Sequence, residues 1–136
     1  MTGPARRLLC VEDNLGDLRL LQEALEILQL PHQLEHVGDG EAALTYLREA
    51  QAGKHLWPDA VLLDLNLPRK SGSEVLAELG ADPRLRQLRV IVLTTAARER
   101  ELLVGPQHMT VHFLIKPLDF DDFLGVVETI DHLIRS

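Results

Sequence analysis

Five short apolar runs punctuate the chain, at residues 8–11, 34–37, 60–63, 90–93 and 111–115. Four of them carry little polar residue or none. That is the pattern of strands buried on both faces, as in a parallel sheet covered by helices. The second run, Leu34-Glu35-His36-Val37, alternates and predicts an edge strand. Between the runs the period becomes helical. Leu18, Leu21, Leu25 and Leu28 share one helix face, and Asn14 is placed to cap its start. Asp39 and Gly40 open a second helix with Ala43, Leu47 and Ala50 on one face. Ser71-Gly-Ser-Glu74 has the form of a capping box ahead of Val75, Leu76 and Leu79. A short fourth helix is expected near 99–104, ended by Gly105 and Pro106. Asp119 then caps a last helix carrying Phe123, Val127, Ile130 and Ile134.

The order is strand then helix, five times over. Short connections in such an order mean parallel strands and right-handed crossovers. A closed eightfold barrel takes about 250 residues, and this chain has 136. An open doubly wound α/β sheet is the expected product. Its ligands bind beyond the carboxyl ends of the strands.

Composition agrees with one compact domain over residues 1–136. Apolar residues make up 46% and charged residues 26%, a balance that buries a core and excludes a disordered tail. Aromatics are only 4%, so the core is aliphatic. The net charge of −7 disfavours holding nucleic acid by its backbone. The single cysteine, Cys10, forms no internal disulfide and reads as a small core residue of a protein from a reducing compartment. No apolar run approaches the roughly 20 residues of a membrane span. The acidic pair Glu12 and Asp13 comes too early for a signal peptide. A cytoplasmic protein without membrane or DNA contacts is expected.

The strand ends carry the candidate chemistry. The first strand runs into Glu12-Asp13-Asn14, the third into Asp64-Leu65-Asn66-Leu67-Pro68, the fourth into Thr94-Thr95 and the fifth into Lys116-Pro117. The fold gathers these distant segments at one end of the sheet. Three carboxylates that close repel one another, and a hard divalent cation relieves the repulsion. Mg²⁺ suits them, since it takes one or two carboxylates and keeps water and phosphate oxygens. Asp64 is then an ionised nucleophile able to accept a phosphoryl group. Lys116 offers a point charge to phosphoryl oxygens, and the Thr94 hydroxyl can donate to another.

These segments resemble the response-regulator receiver domain of two-component signalling. The resemblance rests on LLCVEDN, VLLDLNLPRKSG, IVLTT and FLIKP, in order and at receiver spacing, over nearly the whole chain. It implies a flavodoxin-like (βα)5 fold with strand order 2-1-3-4-5. It implies that Asp64 is the phosphoacceptor and that Glu12 and Asp13 form the acidic metal site. Asn66 completes the ligands through its backbone carbonyl. Thr94 and Lys116 match the switch hydroxyl and the phosphate-binding lysine, and Phe113 the rotating aromatic. The bond between Lys116 and Pro117 is often cis in this family. The wording VEDN, LLDLNLP and LTT resembles the stand-alone receivers paired with phytochrome histidine kinases. The cofactor implied is Mg²⁺, with Mn²⁺ a substitute, and the donor a phosphohistidine on a histidine kinase. No output domain is expected, so output runs through docking to a downstream protein, relay, or action as a phosphate sink.

One stretch departs from the family. VGPQHMTVHF interrupts the fourth helix and puts Met109 and Thr110 near the place of a Gly-Ala pair. Other residues have plain readings. Thr95 is a strand terminus, Trp57 packs beside the third strand, and Arg98-Glu99-Arg100-Glu101 is a solvated helix face. His108 and His112 stand four apart, but His112 reads as a strand residue, so they make no metal pair. A phosphohydrolase with an aspartyl-phosphate intermediate is the main competing class. Its general acid stands two residues after the nucleophile, where this chain has Asn66, which delivers no proton. A pseudo-receiver loses Asp64, Lys116 or the acidic pair, and all are present. A flavodoxin-like cofactor carrier lacks its phosphate-cradling loop after the first strand. The last helix is apolar over roughly half its circumference, at Phe120, Phe123, Leu124, Val126, Val127, Ile130, Leu133 and Ile134, and predicts a homodimer through that helix.

Overall fold

A computed structural model describes residues 5–65, 67–94 and 109–135. The strands are β1 (Arg6–Val11), β2 (His32–Val37), β3 (Ala60–Asp64), β4 (Arg89–Thr94) and β5 (Thr110–Ile115). They form one parallel sheet in the order β2-β1-β3-β4-β5. The described α-helices are α1 (Leu15–Ile27), α2 (Gly40–Gln51), α3 (Gly72–Ala81) and α4 (Phe120–Arg135). The helix expected near 99–104, with its terminating Gly105 and Pro106, lies outside the described residues, as do Asn66, Thr95 and His108.

Three helix starts follow the local sequence rules. Asn14 Oδ1 accepts the Asp17 N–H at 3.1 Å, Asp39 Oδ1 accepts that of Ala42 at 2.8 Å, and Ser71 Oγ accepts that of Glu74 at 3.2 Å. Such caps contribute about 1 kcal/mol each. At α4, Asp119 Oδ1 accepts the Asp121 N–H at 3.0 Å.

Side chains alternate across the sheet and split the core into two layers. Leu9, Val11, Val61, Leu63, Val90 and Val92 face α2 and α3. Leu8, Cys10, Ala60, Leu62, Ile91 and Leu93 face α1 and α4. β1, β3 and β4 are covered on both faces, whereas the outer β2 and β5 are half-buried. The expectation that the fifth run is a fully buried strand is therefore corrected: β5 stands at the sheet's edge, where only one neighbouring strand shields it. All described peptide bonds are trans, including that between Lys116 and Pro117, which corrects the cis bond implied by the family.

Candidate functional site: a carboxylate cluster around Lys116

Parallel strands bring their carboxyl ends to one rim. There β1 delivers Glu12 and Asp13, β3 delivers Asp64, β4 delivers Thr94, and the turn after β5 delivers Lys116. Glu12 is held by its backbone on both sides. Its N–H donates to the Val37 carbonyl at 3.1 Å, and its own carbonyl accepts from His36 Nε2 at 2.6 Å. The Glu12 carboxylate accepts the Asn14 N–H at 3.2 Å and the Lys116 ammonium at 2.6 Å. The same ammonium lies 3.2 Å from Asp17 Oδ2 and 3.6 Å from Asp64 Oδ2. The Lys116 N–H donates to the Thr94 carbonyl at 2.7 Å, which ties the turn after β5 to the end of β4.

Glu12, Asp13 and Asp64 each present a carboxylate oxygen within 4.8 Å of the others. Three oxygen donors at this separation, with Asp13 open to solvent, fit a hard divalent cation that keeps several waters. Without such a cation the negative charge exceeds what one ammonium neutralises. Burial pushes the Glu12 carboxyl up to about 7; the Lys116 hydrogen bond pulls it down and Asp64 pushes it further up. For Lys116, burial alone lowers the ammonium's pKa. The Glu12 hydrogen bond, then the charges of Asp64, Glu12 and Asp17, reverse this and leave it raised. A cation bound to the carboxylates relieves the crowding on Glu12. Beside them the Cys10 thiol is pushed up to about 12 by burial first and by Glu12 next, so it stays a neutral core group.

Of the residues singled out in the sequence, Glu12, Asp13, Asp64, Thr94 and Lys116 meet at this rim. Thr94 is buried, at 1% exposure. Phe113 pairs with Val92 across the sheet and packs half-buried against the core layer under α2 and α3. Asn66 lies outside the described residues. Two contacts were not legible in the sequence: Asp17 on Lys116, and His36 on the Glu12 carbonyl. Asp17 had one signal, its place three residues after the Asn14 cap, in the first turn of α1.

Residues 8–128 match the sequence profile of the response regulator receiver domain. The chain is 41% identical over 123 residues to a Methanothrix harundinacea protein named "Probable methanogenesis regulatory protein FilR2", covering 90% of this chain and 79% of that one. It is 35% identical over 131 residues to the response regulator Rcp1 of Synechocystis, covering 96% and 89%. A crystal structure of the Mn²⁺-bound form of Rcp1 superposes with a TM-score of 0.78 at 35% identity, over 93% of this chain and 91% of that one. The phosphorylated cyanobacterial phytochrome response regulator RcpA superposes with a TM-score of 0.81 at 36% identity, over 97% and 95%. Rim, sheet order and profile agree, and the chain belongs to the response regulator receiver family, with stand-alone phytochrome-associated regulators among its near relatives.

Proposed function

We propose that Asp64 accepts a phosphoryl group from the phosphohistidine of a partner histidine kinase, in a reaction that needs Mg²⁺. The observation that carries this reading is the Lys116 ammonium 3.6 Å from Asp64 Oδ2, with the Glu12 and Asp13 carboxylates alongside. A carboxylate oxygen of Asp64 attacks phosphorus, the N–P bond breaks, and the imidazole leaves with the electron pair and takes a proton from water. Lys116 and the Thr94 hydroxyl hold the transferred oxygens. Glu12, Asp13 and Asp64, with the backbone carbonyl of Asn66, would hold the cation, which would supply charge neutralisation between the two anionic reactants. Mn²⁺ substitutes in this reading, and a relative with bound Mn²⁺ supports that.

The acyl phosphate then draws Thr94 inward and frees space for Phe113 to turn, which changes the surface offered to a downstream protein. The chain is read as a signalling domain that dephosphorylates slowly, not as a turnover enzyme. The partner is read as a phytochrome-type histidine kinase, and the kinship to Rcp1 and RcpA supports this; the protein is read as cytoplasmic. Among the described residues no helix is long and apolar enough to cross a membrane. A homodimer through α4 completes the reading.

Incubation with acetyl phosphate and Mg²⁺ tests the acceptor, read by intact-protein mass. The wild type gains one phosphoryl group, labile to alkali. Asp64→Asn gains none, because an amide is no nucleophile. Labelling that survives this substitution overturns the assignment.

A further inference from the structure

Asp17 belongs to no expected metal shell, yet its Oδ2 stands 3.2 Å from the Lys116 ammonium. Its position is set from its own helix. Asp17 lies in the first turn of α1, and its N–H donates to the Asn14 cap at 3.1 Å. A carboxylate is favoured there by the helix dipole. Lys116 sits closer to Glu12 and Asp17, at 2.6 and 3.2 Å, than to Asp64, at 3.6 Å. A cavity of about 200 Å³, lined in part by Cys10, Leu21, Leu93 and Phe123, borders the Lys116 side chain.

We propose that Asp17 is a positioning residue that retains Lys116 against α1 and competes with the phosphoryl group on Asp64 for its ammonium. This rests on Asp64 being the phosphoacceptor. A cation held by Glu12, Asp13 and Asp64 would draw on their charge, whereas Asp17 lies outside that cluster and would keep its contact with Lys116. Lysine is a point charge on a flexible stem, so two neighbouring anions divide its pull. The Lys116 ammonium is already shared among Glu12, Asp17 and Asp64 at 2.6, 3.2 and 3.6 Å, so the pull of Asp17 weakens its hold on phosphoryl oxygen. Asp17 thereby lowers the occupancy of the phosphorylated form for a given donor supply. Its carboxylate is 42% exposed, so solvent screening limits the effect to about three- to fivefold.

The full chain is titrated calorimetrically with beryllofluoride, a non-covalent phosphoryl mimic, in the presence of Mg²⁺. Asp17→Asn is expected to bind about three- to fivefold tighter than the wild type, and Asp17→Glu to restore the wild-type value. Asp17→Ser, which keeps an oxygen near the helix start, carries the same expectation as Asp17→Asn should the amide variant fold poorly. The chain has only three lysines, Lys54, Lys70 and Lys116, so the ¹⁵N signal of the Lys116 ammonium is assignable. Without beryllofluoride that signal should shift in Asp17→Asn, a change that a merely structural role for Asp17 does not require. Equal or weaker binding by the Asn and Ser variants, or an unmoved ammonium signal, overturns the role of Asp17 alone. A wild type that takes up no beryllofluoride overturns the phosphoacceptor reading, and this one with it.

Discussion

Asp13 and Glu12 are neighbours with different tasks. Glu12 is 5% exposed and committed to Lys116 and the Asn14 N–H, whereas Asp13 faces solvent, open to a hydrated cation. Asp13→Asn is expected to weaken Mg²⁺ binding at least about tenfold, since it removes a full charge from a site holding few protein ligands. A Mg²⁺ titration followed by NMR that is unchanged in this variant sinks the placement. At the opposite end of the sheet, His32 has a side chain 1% exposed, and its Nε2 lies 3.3 Å from Asp131 but off the line of a hydrogen bond. Burial lowers its pKa, against the pull of the Leu30 carbonyl and the Asp131 charge. The unfolded chain then binds the proton more readily than the folded one. The contribution of neutral His32 is whole above about pH 6.5, the unfolded value, and is lost as pH falls through the folded value. Urea melts at pH 7 and pH 5.5 should show a smaller loss of stability in His32→Gln than in the wild type; equal losses remove His32 from the account. Strand-end residues such as Asp64 and Lys116 were legible in the sequence because each follows an apolar run. The bonds of Lys116 to Asp17 and of His36 to Glu12 were not, because they join residues far apart in the chain and depend on side-chain direction.

Elements were legible where their signals are local. The caps Asn14, Asp39 and Ser71 each lie beside the helix they start, and all three bond as their spacing predicts. Strand ends were less so. β1 begins at Arg6 and β2 at His32, polar residues held by ladder pairing that hydropathy does not register. The exposure of β5 is not legible in its apolar run alone, although the strand order implied by the family places it at an edge. The join between β3 and α3 has its own constraint. Gly72 donates its N–H to the Leu65 carbonyl at 3.1 Å, and a Cβ there would stand 2.7 Å from the Asp64 carbonyl and 2.8 Å from the Leu65 Cα. Backbone cannot yield as a flexible side chain does. Gly72→Ala is therefore expected to destabilise the fold by about 1–3 kcal/mol and to displace the segment after Asp64. Urea unfolding gives the first effect, and slower labelling by acetyl phosphate gives the second. A variant as stable and as readily labelled as the wild type contradicts the close approach.

Across the whole molecule, the turn that holds Lys116 also starts α4. Pro117, Leu118 and Asp119 are all that separate Lys116 from the first turn of the helix. Leu118 is wholly exposed there, and Ile115 is exposed beside it. Along the helix Phe123, Val127, Ile130 and Ile134 are buried, as the periodicity predicts. Phe120, Leu124, Val126 and Leu133 are half-buried against the same core layer, so the apolar face left over is narrower than the sequence alone implied. The proposed two-fold pairing would have each copy offer what remains of this stripe, with Leu118 at its end nearest the site. The wild type is accordingly expected to scatter light as a dimer at micromolar concentration, with beryllofluoride and Mg²⁺ shifting the monomer–dimer balance through the turn at Lys116. Leu133→Glu places a charge in the stripe, where desolvation penalises pairing, and should scatter as a monomer while keeping the circular dichroism of the wild type. A wild type that is monomeric, with a mass moved neither by Leu133→Glu nor by beryllofluoride, removes the dimer and leaves the half-buried stripe as the outer edge of a monomer's core.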